Sequence, residues 1–123
     1  MVGLTTILVV DDHDEFRATA AALLHAGGFD VIGQADTGAG ALAATRTLAP
    51  DVVLLDIRLP DLDGFAVSRL IRIHAPTTRV VLCSARDALD YGSRTHECGA
   101  TGFITKADLS VPVLTALLHT DRR

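Results

Sequence analysis

Between Asp51 and Gly64 the chain reads DVVLLDIRLPDLDG, and the first half of this stretch constrains the fold most. The run Val52-Val53-Leu54-Leu55 is too short for a helix of its own, is rich in β-branched residues and has no polar alternation. That is the pattern of a strand buried on both faces. The run stops on Asp56, after which Pro60, Asp61, Asp63 and Gly64 supply turn chemistry. A strand of this kind belongs in a parallel sheet covered by helices. Open α/β sheets place their ligands at the carboxyl ends of their strands, and here an acidic side chain stands at such an end.

The rest of the chain repeats the pattern. Thr5-Thr6-Ile7-Leu8-Val9-Val10 is a second apolar run that ends in acid, at Asp11-Asp12. Asp14 and Glu15 suit the positive end of a following helix. Phe16, Ala20, Leu23 and Leu24 share one face of it, and Gly27-Gly28 stops it. Residues 30–36 (DVIGQAD) form a weaker strand towards an edge. Thr37 caps a second helix with Ala41, Leu42, Thr45 and Leu48 inward, ended by Pro50. Asp63 caps a third, with Val67, Leu70, Ile71 and His74 inward, ended by Ala75-Pro76. Residues 79–84 (RVVLCS) form a buried strand ending on a hydroxyl. Residues 87–99 form a poor helix, with Gly92, Ser93, Thr95 and few apolar anchors. Residues 101–105 (TGFIT) form a fifth strand, followed at once by Lys106. Asp108 or Ser110 caps a last helix, which tolerates Pro112 in its first turn and turns Leu114, Leu117 and Leu118 inward. Five such units imply one α/β domain over 1–123, a doubly wound parallel sheet with five helices and right-handed crossovers.

Composition narrows the function. With 49% hydrophobic residues and Tyr91 the only tyrosine or tryptophan, the core must be aliphatic. A net charge of -4 argues against non-specific nucleic-acid binding, which needs a basic face. No apolar run approaches the roughly 20 residues of a membrane span, and the N-terminus lacks the basic start of a signal peptide. Cys83 and Cys98 are too few for a disulfide scaffold, so a reduced cytoplasmic protein with structural thiols is expected. Thirteen of the 15 acids are Asp, and Lys106 is the only lysine beside ten arginines. Asp favours caps, turns and short-armed ligation over helix interiors.

In a parallel sheet all strand C-termini share one rim. Asp11-Asp12, Asp56, Ser84 and Lys106 stand there. Three carboxylates in one place repel one another and raise some of their pKa values, and a divalent cation relieves this. A few hard oxygen ligands with open coordination places suit Mg²⁺ shared with a phosphoryl group. A carboxylate is also a nucleophile toward phosphorus. Transfer then needs mainly positioning and charge neutralisation, which Mg²⁺, an ammonium and a hydroxyl can supply.

Over its whole length the chain resembles the receiver domains of bacterial two-component response regulators. The resemblance is carried by Asp11-Asp12, by Asp56 with Leu59-Pro60 and Gly64, by Ser84-Ala85, and by Gly102-Phe103 with Lys106. It implies a flavodoxin-like strand order 2-1-3-4-5 and Asp56 as phosphoacceptor, charged by a histidine kinase or phosphotransfer protein. Mg²⁺ would be held at Asp56 by Asp12 directly, by Asp11 largely through water and by the backbone carbonyl of Arg58. Lys106 would pair with Asp56 and the phosphoryl group. Ser84 would swing toward a phosphoryl oxygen and Phe103 would follow it inward. The protein would be a switch rather than an enzyme, catalysing only its own phosphorylation and dephosphorylation. It would signal through the face of helix four, strand five and helix five to a downstream protein, with a homodimer left open and no direct nucleic-acid contact. Ala107 departs from the proline that often follows the lysine.

Plainer readings stand beside these. Phe103 suits a core aromatic as well as a switch. Arg58 and Arg86 suit solvated arginines as well as residues bordering the phosphoryl group. The five histidines show no metal spacing, although His13 adjoins the acidic pair. Asp61 and Asp63 read as turn and cap residues. Two rival functions are a haloacid-dehalogenase-type phosphatase, which would carry its Asp after strand one, and a phosphorylation-independent interaction module.

Overall fold

Strand β3 (Val52–Asp56) is buried along its whole length, and the other elements are arranged about it. The computed structural model describes residues 3–120. Its five strands, β1 (Thr6–Val10), β2 (Asp30–Ala35), β3, β4 (Arg79–Ser84) and β5 (Gly102–Thr105), form one parallel sheet in the order 2-1-3-4-5. The helices are α1 (Asp14–Ala26), α2 (Gly38–Leu48), α3 (Gly64–His74), α4 (Arg94–Glu97) and α5 (Val111–Thr120). The doubly wound parallel sheet is the one the sequence pattern implies, and the strand order is the one the family resemblance implies.

Period-two alternation divides the strand side chains between two cores. Ile7, Val9, Val52, Leu54 and Val81 meet Ala20 and Leu24 of α1 and Leu114 and Leu118 of α5. Leu8, Val10, Val53, Leu55 and Leu82 meet Ala41 of α2 and Phe65, Val67 and Ile71 of α3. Burial of one such side chain contributes about 1.5–3 kcal/mol. A one-residue slip of β3 would exchange its two faces, so Asp56 is held at the rim from both sides.

Helix entries follow the expected chemistry. The side chain of Thr37 accepts from Gly40 N–H and that of Asp63 from Ala66 N–H. Of the two candidates for α5, Ser110 takes the role, its Oγ accepting from Val113 N–H at 3.2 Å. Gly64 lies so close to the rim that a Cβ there would stand 2.5 Å from the Asp56 carbonyl oxygen. Only glycine allows α3 to start directly behind the Asp56 turn.

Several helix positions differ from expectation. Leu23 and Leu48 are solvent-exposed, Leu70 is half-buried and His74 is exposed. On α1, Ala20 and Leu24 fill the contact and Leu23 lies off to one side. Leu48 leans over Gly33 of β2, which has no side chain to enclose it. On α3, Phe65 and Ser68 take the inner stripe, and Ser68 Oγ donates to the Cys98 carbonyl at 3.0 Å. The larger correction concerns 87–99. Instead of one weak helix there is a 3₁₀ turn (Ala88–Tyr91) and then the four-residue α4. Gly92 separates them at φ +60°, and Asp87 caps the 3₁₀ turn through Leu89 N–H. Among the described residues no helix is long and apolar enough to cross a membrane.

Candidate functional site

Sheet register brings the expected rim residues together. Val10 pairs with Leu55, so Asp11 and Asp56 leave adjacent strands side by side. Both are almost fully buried. Lys106 follows β5 immediately and reaches back between them. Its Nζ lies 2.7 Å from Asp11 Oδ2 and 3.6 Å from Asp56 Oδ2. The ammonium is therefore paired first with Asp11, a preference the sequence did not suggest. It also stands 4.6 Å from the centroid of the Phe16 ring, a cation–π contact.

Burial pushes the Asp56 carboxyl up to about 6, and the charges of Asp11 and Asp12 add to the rise. Lys106 and the Arg58 N–H oppose it without cancelling it. Burial pulls the Lys106 ammonium down, but its hydrogen bond to Asp11 and the charges of Asp56 and Asp11 outweigh that and hold it above the usual lysine range. Arg58 enters the site through its N–H, 3.3 Å from Asp56 Oδ1, and its bridge to Asp63 closes the loop.

Asp12 and His13 complete the rim. The His13 ring turns toward the acids, with Nδ1 3.0 Å from Asp11 Oδ1 and 3.1 Å from Asp12 Oδ1. Donor atoms of Asp11, Asp12, His13 and Asp56 all lie within 4.8 Å of one another. Asp56 Oδ2 is buried and accepts no hydrogen bond. Water would normally satisfy a carboxylate oxygen, and leaving one buried without a partner is costly. Clustered carboxylates with an unsatisfied oxygen fit a hard divalent cation, and Mg²⁺ is compatible with this donor set.

Ser84 ends β4 beside this cluster, but its hydroxyl is engaged elsewhere. Oγ lies 2.8 Å from the Tyr91 hydroxyl and accepts from Arg86 N–H at 3.1 Å. The Tyr91 ring packs edge-on to Phe65, centroids 5.5 Å apart, and tilts over half-buried Phe103 at 6.1 Å. Arg94 covers the other side of the Phe65 group, with Cζ 4.2 Å from the ring centroid. Tyr91 is the site residue that sequence reasoning passed over. Its one signal is that it is the only tyrosine, set in a segment otherwise short of anchors.

The remaining candidates take structural places. Asp61 caps α2 from a distance, accepting from Gly38 N–H at 2.7 Å and Ala39 N–H at 2.9 Å. Those donors, Ala39 foremost, hold its carboxyl below the usual range. Cys83 and Cys98 are free and buried, and burial pushes the Cys83 thiol up to about 12, which makes it a poor nucleophile.

The family model of the response regulator receiver domain matches residues 7–117. The probable transcriptional regulatory protein NarL of Mycobacterium tuberculosis is 38% identical over 113 residues, which are 91% of this chain and 52% of that protein. The response regulator GacA of Pseudomonas viridiflava is 39% identical over 102 residues, 81% of this chain and 47% of that protein. The chain thus spans about half the length of these curated relatives. The solved signal receiver domain of the M. tuberculosis NarL response regulator superposes with a TM-score of 0.86 at 36% identity, covering 98% of each chain.

Proposed function

Given that the chain belongs to the response regulator receiver domain family, we propose that Asp56 is its phosphoacceptor and that the protein is a phosphorylation-dependent switch. The observation that carries this reading is the buried, hydrogen-bond-free Oδ2 of Asp56 beside an ammonium. An oxygen with no hydrogen bond to break is a ready nucleophile, and above about pH 6 its carboxyl is ionised. Asp56 attacks phosphorus; the bond from phosphorus to the donor histidine nitrogen, or to the oxygen of a small acyl phosphate, breaks, and the leaving group keeps that electron pair. Lys106 neutralises charge on the transferred oxygens. A magnesium ion bound by Asp11, Asp12 and Asp56, with the Arg58 carbonyl, would supply further positive charge there. The phosphatase alternative expects its nucleophile after the first strand, but there Lys106 holds Asp11 Oδ2 at 2.7 Å, whereas Asp56 Oδ2, after the third strand, is held more loosely at 3.6 Å.

The phosphoryl donor is a histidine kinase or phosphotransfer protein, and the output is a protein contact at the α4–β5–α5 face. Ser84 must leave Tyr91 to reach a phosphoryl oxygen, so the Tyr91 hydroxyl opposes activation and Phe103 follows the change by packing. Tyr91→Phe keeps the ring contacts and deletes that hydroxyl. One lost hydrogen bond is worth about 0.5–1.5 kcal/mol, so initial phosphorylation by acetyl phosphate should run about 2- to 10-fold faster. An unchanged rate would remove Tyr91 from the switch.

The function itself is tested by incubating the protein with acetyl phosphate and Mg²⁺ and weighing it intact. The mass should rise by one phosphoryl group and should not rise when a chelator is present. No gain with Mg²⁺ would favour the phosphorylation-independent module instead.

A further inference from the structure

We propose that His13 is a metal donor, and that it makes the rim favour a first-row transition cation with an affinity for imidazole over Mg²⁺. The inference rests on the metal site proposed above and goes beyond it in naming a ligand and a selectivity. His13 occupies the position before α1 with extended backbone, φ -92° and ψ 108°, yet its side chain does not cap that helix. The ring folds back over the acids instead. The backbone N–H of His13 donates to Asp11 Oδ1 at 2.8 Å, which fixes the turn. Nδ1 then stands 3.0 Å from Asp11 Oδ1, 3.1 Å from Asp12 Oδ1 and 3.4 Å from Lys106 Nζ.

Two donors bound at about 2.1 Å and at right angles to each other lie about 3.0 Å apart. The ring nitrogen therefore already holds the spacing of a neighbouring ligand to both carboxylates. Asp56, almost wholly buried and with an Oδ2 that accepts no hydrogen bond, belongs to the same donor cluster. Imidazole suits Ni²⁺, Cu²⁺ and Zn²⁺, whereas Mg²⁺ prefers carboxylate, carbonyl and water. Mg²⁺ would use the oxygens and leave His13 a bystander. A transition cation would take the nitrogen as well. A plain ion pair between the ring and the acids is the competing account, and it predicts no difference between the two classes of metal.

Calorimetric titration of the full chain separates the two. Wild type and His13→Asn are each titrated with Ni²⁺ and with Mg²⁺. The Ni²⁺ titrations are repeated in excess Mg²⁺, which blocks the shared site but not the other histidines, so the difference between the two titrations reports the shared site. His13 is largely exposed, and retained Mg²⁺ binding reports that the variant is folded. The substitution should weaken Ni²⁺ binding at the shared site by at least about 10-fold and change Mg²⁺ binding by less than about 2-fold. Unchanged Ni²⁺ affinity, or equal losses for both metals, would overturn the assignment of His13 while leaving Asp56 as phosphoacceptor. Failure of Mg²⁺ to bind wild type would remove the metal reading proposed above, and this inference with it.

Discussion

With chelator present at about pH 7.5, Asp56→Asn should unfold at higher temperature and denaturant than wild type. In the unfolded chain the Asp56 carboxyl titrates near 3.8, and in the folded protein it titrates at about 6. A raised folded pKa means the folded state holds its proton more tightly than the unfolded state does. The stability this confers is complete below about pH 4 and is lost as pH rises through about 6. Each unit corresponds to about 1.4 kcal/mol. After a discount for solvent reaching the open rim, the loss amounts to about 2 kcal/mol. Asparagine cannot ionise and avoids it. The two proteins should therefore be similar near pH 4 and diverge as pH rises through about 6. Urea unfolding at the two pH values checks this. Equal stability at both, or a variant weaker at the higher pH, would contradict a carboxylate whose charge is disfavoured by burial and then by its acidic neighbours. Mg²⁺ should narrow the gap, because a ligand at about 100 times its dissociation constant stabilises the folded state by about 2.7 kcal/mol.

Lys106→Met should act in the opposite direction. Methionine retains an apolar chain to lie near Phe16 but removes the ammonium that sits 2.7 Å from Asp11 and 3.6 Å from Asp56. Two buried carboxylates are then left facing each other. Removing one partner of a buried ion pair costs about 3–5 kcal/mol, and the open rim puts this case at the low end, about 3 kcal/mol. The loss should shrink as pH falls through about 6 and the Asp56 carboxyl takes up its proton, and Mg²⁺ should restore part of it. Phosphorylation by acetyl phosphate should also slow by about 10²–10³-fold, the usual effect of deleting one donor to developing oxyanion charge. Urea unfolding and initial labelling rates measure the two effects. A stable variant that labels at the wild-type rate would show that Lys106 serves neither.

These effects trace to features that were legible in the sequence to different degrees. The apolar runs ending on Asp11, Asp56, Ser84 and Lys106 mark strand ends directly, because a doubly buried strand leaves no other pattern. The caps at Thr37 and Asp63 were equally readable, since capping is local. The interior of 87–99 was not. Its poor anchors were visible, but whether Gly92 would bend a helix or divide it depends on the sheet beneath. Leu23, Leu48 and His74 fall on the right helical stripe, yet their burial is decided by what lies opposite, such as the bare Gly33. At the site the residue types were readable and the pairings were not. That Lys106 prefers Asp11, that Ser84 is held by Tyr91, and that His13 folds over the acids are contacts between residues distant in sequence or on freely turning side chains. No local pattern encodes them.

Locating the phosphoryl group tests the central claim most directly. The protein is labelled with acetyl phosphate and Mg²⁺, reduced with borohydride, digested and mapped by tandem mass spectrometry. Reduction converts an aspartyl phosphate into homoserine, which marks the acceptor permanently. The site described here predicts homoserine at position 56 alone, at up to one per chain. Homoserine at Asp11 or Asp12, or none at all despite bound Mg²⁺, would contradict it.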